Sequence, residues 1–243
     1  MPNHIHSNGV AAALVALAFA VLARLMGSVT DGGAVAGIVV AFCLMIAAGI
    51  AGFMPLLTLF LLTVIATRWG YARKRALGVA ERDRGRRAAS QVLANLGAAT
   101  LCAAPVIWFP KFRTVLLVGA VAALAEAAAD TVSSEIGQAT SKYAYMITDF
   151  RNAPVGTNGA ISIEGTLSGC FAAGLVAWVS ALFGVVSPSW VPVVTIAGIA
   201  GMALDSVLGA TLENSGRMGN DSVNFVSNVF AADLALIVAL AMA

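Results

Sequence analysis

Five side chains recur at helical spacing inside an otherwise apolar run: Glu126, Asp130, Ser133, Ser134 and Gly137. At about 100° per residue they share one helix face, while Glu135 falls on the opposite one. Carboxylates in a membrane helix are costly and demand a partner, which makes this face a candidate site. Further along, residues 155–169 read Val-Gly-Thr-Asn-Gly-Ala-Ile-Ser-Ile-Glu-Gly-Thr-Leu-Ser-Gly. They offer hydroxyls, small side chains and accessible backbone N–H groups, the donors that suit phosphate. One stretch supplies hard-cation ligands and the other an anion cradle. Carboxylate oxygens and substrate phosphates together make a normal Mg²⁺ shell. Phosphoryl transfer rests on such positioning and electrostatics. The pair therefore points to metal–nucleotide chemistry at a membrane surface, with transfer to a lipid-borne acceptor.

The elements that must hold these groups are membrane helices. Of 243 residues, 60% are apolar and 11% charged, which excludes an ordinary soluble domain. The expected fold is all-α, a polytopic membrane protein of about eight transmembrane helices in one domain over residues 1–243. The predicted spans are 10–26, 33–50, 53–69, 88–109, 114–136, 165–186, 190–212 and 222–242. No Lys or Arg precedes the first apolar run, so it reads as a retained span rather than a cleaved signal. His4 and His6 read as part of a solvated terminus before a metal pair. Cys43, Cys102 and Cys170 sit in apolar runs without zinc spacing and are expected as free thiols.

Charge sets the orientation. A basic loop over residues 70–87 carries Arg73, Lys74, Arg75, Arg82, Arg84, Arg86 and Arg87, and the positive-inside rule makes it cytoplasmic. Alternation puts Arg24, Lys142, Arg151 and Arg217 on the same side and leaves only Lys111 and Arg113 outside. The active face is then cytoplasmic, in a bacterial inner membrane. Arginines of this loop read either as lipid-facing topology signals or as phosphate grips. Arg87, Gln91 and Asn95 continue one polar face into the fourth span. The connection over residues 137–164 reads as a cytoplasmic nucleotide-binding segment, re-entrant or interfacial in form. Thr30 or Asp31 should cap span two, where Gly33 and Gly37 allow close helix contact. Gly198, Gly201, Asp205 and Gly209 form a stripe on span seven. Asp221, Asn224 and Asn228 form one on span eight, with Asp233 pointing elsewhere. With only two histidines and no P-loop, no metalloprotease helix and no kinase signature, the remaining tools are carboxylates, amides, hydroxyls, glycines and arginines.

Three blocks carry a family resemblance: Ala-Glu-Ala-Ala-Ala-Asp-Thr-Val-Ser-Ser-Glu-Ile-Gly at 125–137, Val-Gly-Thr-Asn-Gly-Ala-Ile-Ser-Ile-Glu-Gly-Thr at 155–166, and Gly-Met-Ala-Leu-Asp-Ser-Val-Leu-Gly-Ala-Thr at 201–211. With Asn224 and the basic loop, they resemble the transmembrane protein 19 family, also called DUF92, which includes plant phytyl-phosphate kinases. The resemblance implies an isoprenyl monophosphate kinase that forms the diphosphate. More distantly the chain is similar to the CTP-dependent dolichol and phytol kinases. Ser162, Glu164, Gly165 and Thr166 match their Lys-Ser-x-Glu-Gly-Thr motif, but Ile161 replaces the lysine. Arg151 or Arg217 is expected to supply the missing charge.

On this resemblance, Glu126, Asp130 and Asp205 hold Mg²⁺. Gly156, Thr157, Asn158 and Gly159 cradle the triphosphate of CTP or another nucleoside triphosphate. Ser162, Glu164 and Thr166 orient it, and Ser134, Asn224 and Asn228 complete the pocket. Arg82, Arg86 or Arg87 binds the acceptor phosphate. The expected partners are an isoprenyl phosphate, a nucleotide and membrane lipids, with a homodimer allowed and no nucleic acid. Rival readings are a lipid cytidylyltransferase, a prenol kinase and a transporter.

Overall fold

A computed structural model describes residues 2–242, apart from the side chains of residues 2–8, Arg82 and Arg84. The His4–His6 pair and the Arg82 side chain therefore lie outside the described residues. The helices are α1 (Pro2–Leu25), α2 (Asp31–Ala48), α3 (Phe53–Arg68), α4 (Tyr71–Ala76), α5 (Ala89–Ala103), α6 (Arg113–Thr140), α7 (Ile163–Leu182), α8 (Val191–Leu208) and α9 (Asn220–Ala241). Seven apolar segments are long enough to cross a membrane, and the apolar part of α1, Gly9–Leu25, makes a shorter eighth. The chain is an integral membrane protein of about eight spans, as expected. Only α4 lies outside the set.

The central element is α6. In its apolar window 89% of residues are buried, against 28–44% in the other six long helices. Its sequence explains this position. Ala120, Ala122, Ala123, Ala125, Ala127, Ala128 and Ala129 are all buried. Alanine has the best helix propensity and almost no bulk, so other helices approach the backbone of α6 on every side. Helices α3, α5, α7, α8 and α9 all pack on it. Glycines complete the fit. A Cβ at Gly169 would lie 2.8 Å from the Ala129 carbonyl oxygen, and one at Gly198 would lie 3.1 Å from Ala125. Only hydrogen fits at either place.

Most span boundaries fall within a few residues of expectation. The fifth predicted span ends later than expected, at Thr140, because nothing breaks α6 before Ser141. The fourth ends sooner, at Ala103, and passes into a 3₁₀ turn containing Pro105. After Leu208 the chain widens into a π turn, Gly209–Glu213. The connection after α6 is not helical. It forms a small three-stranded antiparallel sheet with order β2-β1-β3, made of β1 (Ala144–Met146), β2 (Asn152–Ala153) and β3 (Ala160–Ile161). Tyr145 lies opposite both Asn152 and Ile161.

All the long polar connections meet at one end. Thr30 caps α2, accepting from Gly33 N–H at 3.1 Å. Thr30 N–H donates to the Arg87 carbonyl at 3.0 Å, and Arg87 N–H donates to the Ser28 carbonyl at 2.9 Å. This strap lies where Gly33 has no side chain, since a Cβ there would lie 2.3 Å from the Arg87 oxygen. Gly37 makes no such contact, so the expected glycine pair contributes one close approach and one open position. Lys111 and Arg113 sit at the opposite end, where Arg113 Nε donates to the Ala47 carbonyl at 3.2 Å.

Lys74 is not a solvated basic-loop residue. It is fully buried, forms an ion pair with Glu135, and donates to the carbonyls of Ala66 at 3.1 Å and Thr67 at 2.8 Å. Glu135, expected on the face opposite Asp130, turns inward onto this lysine and lines the same polar cavity as Asp130. The approach depends on Gly70, which takes φ +61° hard against Ala139. Replacing Lys74 by Met strands a buried carboxylate. The expected cost is about 3–5 kcal/mol, read as a lower melting midpoint of the detergent-solubilised protein. The double change K74M/E135Q should recover most of that loss. An unchanged midpoint for K74M alone would show that the pair holds nothing together.

Candidate functional site

At the polar end, α5, α6, α8 and α9 surround a cavity of about 710 Å³, within the usual range for small-molecule sites. On α6 it is lined by Asp130, Ser133, Ser134 and Gly137, the face that helical periodicity predicts, and also by Thr131, Glu135 and Gln138 beside that face. Asp205 of α8 faces Asp130 across it. Helix α9 contributes Asn220, Asp221 and Asn224, and α5 contributes Gln91 beside Arg87. The rim is built from Val79 to Glu81 of the basic loop, residues 155–162, and the π turn with Gly209 and Glu213.

The Asp205 carboxylate is held in place. Ser227 Oγ donates to its Oδ2 at 3.1 Å. The Asn224 amide, oriented by its hydrogen bonds, donates to the same oxygen at 3.2 Å and to the Asn220 carbonyl at 3.2 Å. Ser133 donates to the Asp130 carbonyl at 3.1 Å, leaving the Asp130 carboxylate free to face the cavity. Two facing carboxylates at this depth repel unless a cation or a shared proton lies between them.

Glu126 does not join them in the cavity wall. It sits one helical turn below Asp130, fully buried, and both oxygens lack a hydrogen-bond partner among the described residues. Gly201 crosses directly over it: a Cβ there would lie 2.4 Å from Glu126 Cγ. No group of three or more His, Cys, Asp or Glu side chains is arranged to hold a metal ion among the described residues. The expected triad is thus a facing pair with a third carboxylate beneath. A Mg²⁺ that takes its other ligands from substrate phosphate and water fits that pair. A site built from protein ligands alone does not.

The loop over residues 156–159 rims the cavity as predicted. Gly156 and Gly159 take φ +89° and +77°, turns that glycine allows without strain. Gly159 abuts the π turn, where a Cβ would lie 2.4 Å from Ala210 N. Asn214 Nδ2 donates to the Asn158 carbonyl at 3.1 Å and fixes the loop to α8. The N–H groups of Gly156, Asn158 and Gly159 find no acceptor among the described residues, which leaves them for an anion.

Ser162 and Thr166 line the cavity, and Ser162 caps α7 by accepting from Gly165 N–H at 3.2 Å. Glu164 is exposed and turned aside. It accepts from Ser141 Oγ at 2.9 Å, so it braces the loop and does not touch the cavity. Asn228 is buried below Asn224, donating to its carbonyl at 2.9 Å, and is likewise absent from the wall.

Arg87 is the one basic side chain lining the cavity among the described residues, paired with Glu81 at 3.0 Å. Arg86 is exposed beyond the rim, near Asp31. Neither Arg151 nor Arg217 reaches the wall, and Arg151 pairs with Asp149 instead. The position expected to compensate for Ile161 is therefore not filled by either. Sequence reasoning missed Glu213 and Glu81. Asp205, Gly209 and Glu213 do fall on one helix face, so Glu213 had a signal; Glu81 lies in a loop without periodicity.

No solved structure matches the chain. It is 35% identical over 193 residues to an uncharacterized membrane protein of Synechocystis sp., covering 78% of this chain and 74% of that one. It is 34% identical over 185 residues to Protein VTE6, chloroplastic, of Arabidopsis thaliana, covering 74% of this chain and 56% of that protein. An uncharacterized membrane protein of Methanocaldococcus jannaschii is 31% identical over 209 residues, covering 85% and 84%. The family described as integral membrane protein DUF92 matches residues 14–232. With that match over most of its length, the chain belongs to the DUF92 family of integral membrane proteins.

Proposed function

We propose that this protein is a nucleoside triphosphate-dependent kinase of isoprenyl monophosphates, working at the cytoplasmic face of the membrane, in bacteria the inner membrane. One observation carries the reading: Asp130 and Asp205 face each other in a cavity rimmed by the glycine loop, with a single arginine at its mouth. The resemblance to a family that includes phytyl-phosphate kinases supports it, as does the similarity to the plant protein. The gathering of all but two of the 14 Lys and Arg residues at the site's end supports the cytoplasmic orientation.

In this reading the acceptor phosphate lies at Arg87, and one of its oxygens attacks the γ-phosphorus. The bond from the γ-phosphorus to the β-phosphate oxygen breaks, and the nucleoside diphosphate leaves with that electron pair. An acceptor that is already anionic needs charge neutralisation more than a general base, which suits a site without histidine. The N–H groups of residues 156–159 hold the triphosphate. Ser134, Ser162 and Thr166 fix its orientation by hydroxyl contacts. Asp130 and Asp205 would hold Mg²⁺, which supplies the positive charge that an acidic cavity otherwise lacks. Below Asp205 the core is closed by the alanines of α6, and the cavity does not continue toward the opposite end. This disfavours a transport path.

With purified protein, Mg²⁺, labelled ATP or CTP and phytyl phosphate, label should appear in the lipid diphosphate. EDTA should abolish the transfer and added Mg²⁺ restore it; transfer persisting in EDTA would remove the metal from the reading. Asp130→Asn and Asp205→Asn keep the side-chain shape but lose the charge. Each should lower turnover by about 10²-fold or more with the melting midpoint preserved, and full activity in either would take that residue out of the site. Arg87→Ala should raise the KM for the acceptor, with Arg87→Lys only partly restoring it, because lysine cannot grip phosphate in a bidentate way. An unchanged acceptor KM would place the acceptor elsewhere.

A further inference from the structure

A second cavity adjoins the first. It is a groove between α1, α2 and α3, floored by α5 and α6, and its walls are mainly apolar: Phe19, Leu56, Leu59, Phe60 and Leu96 among them. It meets the polar cavity at Arg87, Gln91 and Thr131, which line both. Thr67 stands at this junction end, beside Gly85. It is buried, and its hydroxyl has no hydrogen-bond partner among the described residues. A buried hydroxyl without a partner is unfavourable, so this one is open to an acceptor. Arg87 offers positive charge at the same place. An amphiphile with an anionic head and a hydrocarbon tail satisfies both ends of the groove.

The opposite end is closed. Phe19 of α1 packs edge-on between Phe53 and Phe60 of α3, with ring centroids 4.9 and 4.8 Å apart. Between Thr67 and Leu56, the groove runs about 16 Å along α3 at the rise of an α-helix, roughly half the hydrocarbon thickness of a bilayer. A short isoprenoid fits that length. A long polyprenyl chain overruns the Phe19 stop.

We propose that this groove binds the isoprenoid tail of the acceptor and gauges its length, with Phe19 as the stop and Arg87 and Thr67 at the mouth. The proposal rests on the lipid-phosphate kinase reading for its substrate and adds the residues that select among chains. Gly37 gives a clean handle. It lines the groove, and a Cβ there meets nothing within 4 Å, so the helix accepts a larger side chain that fills the groove.

The test measures binding and transfer for geranyl, farnesyl, phytyl and long polyprenyl monophosphates, with nucleotide binding as the check on folding. The wild type should favour geranyl and farnesyl chains, with phytyl at the limit of the groove and polyprenyl disfavoured. Phe19→Ala should raise the relative preference for the polyprenyl acceptor by about tenfold or more, and Gly37→Leu should lower that for phytyl over geranyl by a similar factor. Unchanged chain-length ratios in both variants would overturn the gauge, while transfer in the same assays would leave the kinase reading intact. Shifted binding ratios without transfer to any acceptor would support the groove and sink the kinase. Equal retention of phosphatidylglycerol and phytyl phosphate by both the wild type and Gly37→Leu would assign the groove to bulk lipid and end the proposal.

Discussion

A carboxylate facing hydrocarbon is costly, and the otherwise lipid-soluble helices α6 and α8 carry four of them, Glu126, Asp130, Glu135 and Asp205. The remainder of the fold answers that constraint. Glu126 and Asp130 lie on the most enclosed helix, so no rotation of α6 could turn them toward lipid. The enclosure depends on smallness. Alanines along α6 and glycines on α7 and α8 let neighbouring helices sit against its backbone, and Gly201 covers Glu126 where any side chain would collide. A bulkier stripe would hold α8 away, and Asp205 would then lose its place opposite Asp130. Close packing and charge placement are one requirement here.

The site's parts come from segments far apart in sequence, and each is tied to a second segment. Asn214 holds the glycine loop to the end of α8. Ser141 ties the end of α6 to Ser162 at 2.9 Å and to Glu164. The strap through Arg87 fixes the start of α5 to the start of α2. Beneath these ties, Lys74 bonds the carbonyls that end α3 to Glu135 of α6. The polar end is thus a braced lid over the helices rather than a set of independent loops. Such bracing keeps the loop N–H groups aimed before any ligand arrives, the electrostatic preorganisation that the proposed phosphoryl transfer would require.

Helical periodicity was enough to find Asp130, Ser133, Ser134 and Gly137, and the two stripes containing Asp205 and Asn224, because one face of each helix is all that a cavity wall needs. Hydropathy was enough for the spans, since lipid-depth helices must be apolar whatever they surround. Depth was not legible. Glu126 and Asp130 share a face but not a level, and sequence spacing does not say which one a crossing helix covers. Lys74 was misread for a related reason: a lysine among arginines reads as loop charge, and only the three-dimensional turn at Gly70 carries it under the surface. Glu164 matched a motif yet braces the loop, because a motif gives residue types and not the direction a side chain takes. The groove was invisible for the opposite reason. Phe19, Leu59 and Phe60 have the same hydropathy whether they face lipid, core or a bound chain.

The two cavities differ in kind, and their junction decides what can occupy them together. The polar one is lined by Asp130, Asp205, Glu213 and Asp221, with Glu135 and Glu81 already paired to Lys74 and Arg87. An anion entering alone would be repelled by that wall, so an anionic ligand is admitted only with cations of its own. The groove has no acidic side chain in its lining, and of its two cations, Arg68 and Arg87, only Arg87 also lines the polar cavity. On the proposed reading, a phosphate drawn from the membrane side would stop at Arg87, and a cation-bearing polyphosphate from the aqueous side between Asp130 and Asp205. In the proposed reaction this boundary would keep two like-charged reactants in separate compartments and bring their phosphates together only at the shared wall of Arg87, Gln91 and Thr131.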